Sequence, residues 1–171
     1  MNKKVVQFLR TVLIIAAVLI AVWWFLVFCV HLGVQTFAAE LPDITEPCGL
    51  TEEELEERLK HDLKQYAGAF LQAEEDYEIN ACFLASIAAL ESGWGRNQFR
   101  PNNIFGFGNT EFESVERCID YVSWYLKKHY IREDGGYYRG GTISAIGSIY
   151  CPDGGEWVEL VTGIYWRLCY G

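Results

Sequence analysis

ACFLASIAALESGWG, residues 81–95, decides how this chain is read. Residues 81–90 carry no charge, and Glu91 then breaks the run. Leu84, Ile87, Ala88 and Glu91 lie three and four apart, so a helix puts them on one face. The spacing predicts a helix over 81–91. Ser92-Gly93 ends it, with Gly93 suited to a left-handed cap. A carboxylate closing an apolar face is expensive to bury. Burial raises a carboxyl pKa, as a general acid working near neutral pH requires. Glu91 is therefore the first candidate for chemistry. A purely structural role remains open: capping a neighbouring helix, or pairing with Arg96 or Arg100.

On either side the apolar pattern stays helical. Upstream, Thr51 and Glu54 form a capping box, and Leu50 can staple onto Leu55. Leu55, Leu59, Leu63, Tyr66, Phe70 and Ala73 then predict one helix running to about Asp76. Downstream, a stripe from Val115 to Leu126 predicts a helix over 114–130. A short helix follows over 142–150. A last one covers 156–168, with Trp157, Val161, Ile164 and Leu168 inward. The fold class is mainly α. Between the second and third helices lies RNQFRPNNIFGFGNTEFE, residues 96–113, whose composition is that of a loop.

That loop mixes Phe99, Phe105 and Phe107 with Asn97, Asn102, Asn103 and Asn109, just after Trp94. Aromatic faces and amide groups are the usual means of holding sugar rings. The same aromatics can equally be core. Tyr137, Tyr138, Tyr150 and Trp157 share that ambiguity. Other chemistries fail on inspection: there is no GxSxG, no HExxH and no P-loop. His61 and His129 sit on charged stretches and read as surface. No Cys/His cluster has metal spacing, so no metal and no cofactor is expected.

The chain has 171 residues and a formal charge of −9. Residues 11–30, TVLIIAAVLIAVWWFLVFCV, are uncharged and long enough as a helix to cross about 30 Å of hydrocarbon. Lys3, Lys4 and Arg10 precede them, so the positive-inside bias puts the N-terminus in the cytoplasm. The division expected is a cytoplasmic terminus and single transmembrane anchor over 1–34, a tether over 35–50 and a domain over 51–171. A cleavable signal peptide, cut before Ala39, is the competing reading, although its apolar core would be unusually long. With those three bases set aside, 11 of the 14 remain against all 23 acids, leaving −12 outside the anchor. A chain so acidic lacks the basic face a nucleic-acid partner needs. Of the six cysteines, Cys29 lies in the apolar span and five lie beyond it. Cys82 and Cys118, each near a helix start, are the preferred bridge.

ASIAALESGWG (85–95), NNIFGFGN (102–109) and FESVERCIDYVSWYL (112–126) together resemble the glucosaminidase family of peptidoglycan hydrolases, glycoside hydrolase family 73. YYRGGTISAIGSIYCPDGGEW (137–157) is similar to the end of that domain in its short versions. The resemblance implies an α+β lysozyme-like superfold with a reduced β-lobe. It implies cleavage of the peptidoglycan glycan strand beside N-acetylglucosamine. It gives Glu91 the role of catalytic acid and places Asn103, Phe105, Gly106 and Tyr150 along the glycan groove; Trp94 is added as a substrate contact from the aromatic composition of the loop alone. Many members carry a hairpin bearing a second carboxylate, and here only GNTEFE follows Phe107. Glu111 and Glu113 are the nearest carboxylates, with Glu111 the candidate taken and Asp120 a poorer choice on the helix, and the substrate's own acetamido group is the alternative. A lytic transglycosylase and a non-catalytic wall-binding scaffold are the rival functions.

Overall fold

The helix specified by the opening stretch runs Ala81–Ser92, and every residue from Ala81 to Ala89 is buried. A helix apolar all round belongs at the centre of a fold. The other elements of the computed structural model, which describes residues 16, 19–27, 42–151 and 155–171, surround it. In chain order they are α1 (Glu52–Arg58), a 3-10 segment (His61–Tyr66), α2 (Ala67–Tyr77), α3 (Ala81–Ser92), α4 (Val115–Leu126), α5 (Ile143–Tyr150) and α6 (Gly155–Tyr170). A π-helical turn, Lys127–Ile131, extends α4. α6 lies along α3, α2 packs on α3 and α4, and α5 packs on α6. Phe70, Phe83, Leu84, Ile87, Ile104, Ile119, Val161 and Leu168 meet in one core. Each such side chain contributes about 1.5–3 kcal/mol on burial. The mainly helical class is as expected. Among the described residues the only β pairing is a bridge between Asp43 and Thr142.

The caps follow the sequence closely. Thr51 Oγ1 accepts the Glu54 N–H, and Glu54 returns the bond to the Thr51 N–H, completing the capping box. Asn80, Ser114 and Thr142 cap α3, α4 and α5 in the same way through their side-chain oxygens. Gly93 closes α3 at φ 57°, in the left-handed region.

Four expectations change. The first helix is broken at Leu59 and Lys60, both extended, before the chain turns again from His61. Leu59 and Leu63 remain buried across the break, so the apolar spacing serves the core without a continuous helix. The break brings Lys60 over the Trp94 ring, with Nζ 5.3 Å from its centroid. In α6, Tyr165 takes the buried position expected for Ile164. Residues 42–50 do not run free as a tether: Ile44 is fully buried and its carbonyl accepts the Asn80 N–H at 2.7 Å. Cys82 and Cys118 are not bridged, and the five cysteines beyond the apolar span are all free thiols.

The chain divides into two compact units, 1–40 and 41–171. In the first, residues 19–27 are helical, and most of the expected transmembrane segment over 11–34 lies outside the described residues. Among the described residues no helix is long and apolar enough to cross a membrane.

Candidate active site

Glu91 stands on the last turn of α3, where the helix surfaces from the core. Its neighbour Ser92 is buried and fixes the turn. Ser92 Oγ donates to the Ala88 carbonyl at 2.6 Å and accepts the Gly95 N–H at 2.7 Å. With Ser92 turned inward, Glu91 turns outward and is exposed. The burial expected from its place on the apolar face is therefore not found. Nor does it pair with a base: Arg96 Nε donates to the Gly93 carbonyl, and Arg100 reaches Asn109. Its side-chain partner is neutral. Trp157 Nε1 donates to Glu91 Oε1 at 3.0 Å, from the first turn of α6.

The loop after α3 forms the facing wall. Asn103 is 2% exposed and holds this loop by three bonds. Its Nδ2 donates to the carbonyls of Phe107 and Thr110, and its Oδ1 accepts the Phe107 N–H at 2.9 Å. That small knot brings Gly106 against the carboxylate. Gly106 has φ +61°, and a Cβ built there would meet Glu91 Oε2 at 3.3 Å. A side chain here would be strained and would crowd the carboxylate, so glycine suits both demands.

Tyr150 ties the wall to the helices. Its hydroxyl donates to the Phe105 carbonyl at 3.1 Å, and its ring lies 5.1 Å from that of Trp157. A groove of about 380 Å³ opens between these parts. Glu91, Gly106, Phe107, Tyr125, Tyr130 and Tyr150 line it, with Phe105, Gly108 and Cys151. Burial raises the Tyr150 pKa, and the Glu91 charge raises it further. Burial likewise raises Tyr130 and Tyr125. All three keep their protons at neutral pH and present hydroxyls that both donate and accept. The groove thus offers one carboxylate among aromatic faces and neutral hydroxyls.

The structure brings together Glu91, Phe105, Gly106 and Tyr150 of the expected residues. It does not bring Trp94, Asn103 or Glu111 to the groove lining. Trp94 packs half-buried under Lys60, Asn103 spends its amide inside the loop, and Glu111 is exposed. His129, expected as a surface residue, stacks on Tyr125 at 4.4 Å. Trp157 contacts the carboxylate although its spacing reads as an inward core residue. A larger cavity of about 730 Å³ lies between residues 45–47, α2 and the π turn. Of its three acids, Glu74 accepts the N–H groups of Cys48 and Ala81, Glu78 pairs with Lys127, which also lines the cavity, and Glu75 is exposed. Among the described residues no group of three His, Cys, Asp or Glu side chains could hold a metal ion.

The model of the glucosaminidase family, described as mannosyl-glycoprotein endo-beta-N-acetylglucosaminidase, matches residues 67–165. The chain belongs to this family. The match begins with α2 and takes in Glu91, the 103–110 loop, Tyr150 and Trp157. Proteins from two strains of Streptococcus pneumoniae, each named "Putative endo-beta-N-acetylglucosaminidase", are 29% identical over 143 residues, 74% of this chain. The chain spans about a fifth of their length, 21% of one and 20% of the other.

Proposed function

We propose that the chain is a peptidoglycan hydrolase, an endo-beta-N-acetylglucosaminidase on a lysozyme-like superfold, with Glu91 as its general acid. The observation that carries this is the setting of Glu91, a carboxylate held by a neutral indole N–H at the edge of an aromatic groove. A glycan laid along the groove takes water from the carboxylate. Glu91 then protonates the glycosidic oxygen as the bond to the anomeric carbon breaks. Positive charge develops on that sugar ring and needs a second group. Among the described residues lining the groove, Glu91 is the only acid. That favours the substrate's acetamido oxygen over Glu111 as the stabilising group. The same single carboxylate keeps a lytic transglycosylase in play, where the sugar's own hydroxyl replaces water.

Residues 11–34 anchor the chain, with the N-terminus cytoplasmic and the domain outside a bacterial membrane. Twenty uncharged residues behind three bases support this reading. Retention of the full chain in membranes through alkaline washing is the expected result, and its release would remove the anchor from the account.

Mass spectrometry of fragments from purified peptidoglycan tests the reaction. Fragments with reducing N-acetylglucosamine ends are expected, with Glu111→Gln retaining most of the activity. Anhydro-sugar ends would make the chain a transglycosylase. Loss of activity in Glu111→Gln would restore a protein carboxylate as the second group. Absence of any cleavage would favour a wall-binding scaffold.

A further inference from the structure

Three thiols from distant parts of the chain converge on one side of α3, away from the residues assigned to chemistry. Cys82, in the first turn of α3, is fully buried, with the thiols of Cys48 and Cys169 as its neighbours. Both of those are half-buried and pack against the core beside it. Each is anchored independently. The Cys48 N–H donates to Glu74 Oε2 at 2.8 Å, and the same oxygen accepts the Ala81 N–H at 2.7 Å. One carboxylate therefore sets Cys48 against the start of α3. Arg58 Nη1 donates to the carbonyls of Leu168 and Cys169, at 2.8 and 2.7 Å, and fixes the last turn of α6. Cys118 is elsewhere, against the backbone of Ile104 and Phe105.

We propose that Cys48, Cys82 and Cys169 form one exchangeable disulfide site, in which Cys82 bonds to either neighbour and the third thiol stays free. The inference does not depend on the glycosidase reading. The thiolate is the attacking species in such exchange. Cys169 is the first nucleophile: the Cys82 thiol, the Tyr165 hydroxyl and Arg58 bring its pKa down to about 7, against the opposing effect of burial. The oxidant is a disulfide, supplied by a small molecule or a dithiol–disulfide protein. The Cys169 thiolate attacks one sulfur of it, forming a mixed disulfide and releasing one thiolate. Cys82 gives its proton to that released thiolate and attacks Cys169 Sγ. The Cys82–Cys169 bond forms and the second thiolate leaves. Two protein thiols are oxidised and one oxidant disulfide is reduced to two thiols. The Cys48 thiolate can then attack Cys82 Sγ, moving the bond to Cys48–Cys82 and freeing Cys169 with no net redox change. The first bond staples the end of α6 to α3, and the second staples the segment entering the domain to α3.

Equilibration of the full chain in a glutathione redox buffer, followed by alkylation and peptide mapping, tests this. The expected result is two fewer alkylated cysteines per oxidised chain, with Cys82 joined to Cys169, to Cys48, or to each in part of the sample. Cys48→Ala should collect the bond at Cys82–Cys169, and Cys169→Ala should collect it at Cys48–Cys82. A bond through Cys118 or Cys151 would overturn the proposal. So would thiols that all stay reduced in a buffer that oxidises a protein of known disulfide.

Discussion

Glu91 and Trp157 stand 66 positions apart in the sequence and 3.0 Å apart in the fold. A hydrogen bond to a charged group contributes about 1.5–3 kcal/mol. Trp157→Phe keeps the ring against Tyr150 and removes only the donor. We expect kcat to fall about 10–100-fold, with KM nearly unchanged and the melting temperature held within a few degrees. A KM rise at constant kcat would instead make Trp157 a substrate contact. Gly106→Ala puts a methyl group 3.3 Å from Glu91 Oε2 at a positive φ. Activity should drop at least tenfold, for a stability cost of about 1 kcal/mol. Steady-state kinetics beside thermal melting separates the two effects. Glu91 was legible because it ends an uncharged run just before a helix-breaking pair. Its exposure was not, because helical periodicity gives the face of a residue but not where the helix leaves the core. Trp157 carries no sequence mark as the partner of Glu91, because no local pattern joins α6 to the end of α3.

α3 and the loop beyond it show how elements deliver single atoms. Ser92 satisfies a carbonyl and an N–H at once, in a buried turn. Ser92→Ala leaves the Gly95 N–H unpaired, and the expected loss is about 1–3 kcal/mol by denaturant unfolding. Replacing Asn103 by alanine breaks the three bonds that shape the 103–110 loop. Activity should fall while α-helical content, read by far-UV circular dichroism, stays constant. Intact activity would show that the loop holds its form without the amide. The helices with side-chain caps, α1 and α3 to α5, start where their cap residues stand in the sequence. The break at Leu59 and Lys60 left no such mark, since Leu55, Leu59 and Leu63 keep helical spacing across it. Tertiary contact decides there, through Lys60 on Trp94. Asn103 resembles a sugar-binding amide in sequence, and only the folded loop shows its hydrogen-bonding capacity already used.

The molecule as a whole carries −9, with 23 acids against 14 bases. Only three ion pairs occur among the described residues, at Arg117–Asp120, Lys127–Glu78 and Arg132–Asp134. Self-repulsion then outweighs pairing, and added salt screens repulsion between exposed charges. The melting temperature should rise with sodium chloride, and a fall would mean that the pairs dominate. α3 carries Glu91 to the groove and the loop that follows it forms the facing wall, so fold and site arise from one packing arrangement. The decisive measurement is release of soluble glycan from purified peptidoglycan by wild-type and Glu91→Gln chains matched for melting temperature. The groove geometry predicts cleavage by the wild type and a loss of at least a thousandfold in the variant. Equal release by both chains would contradict Glu91 as the acid and the reaction built on it.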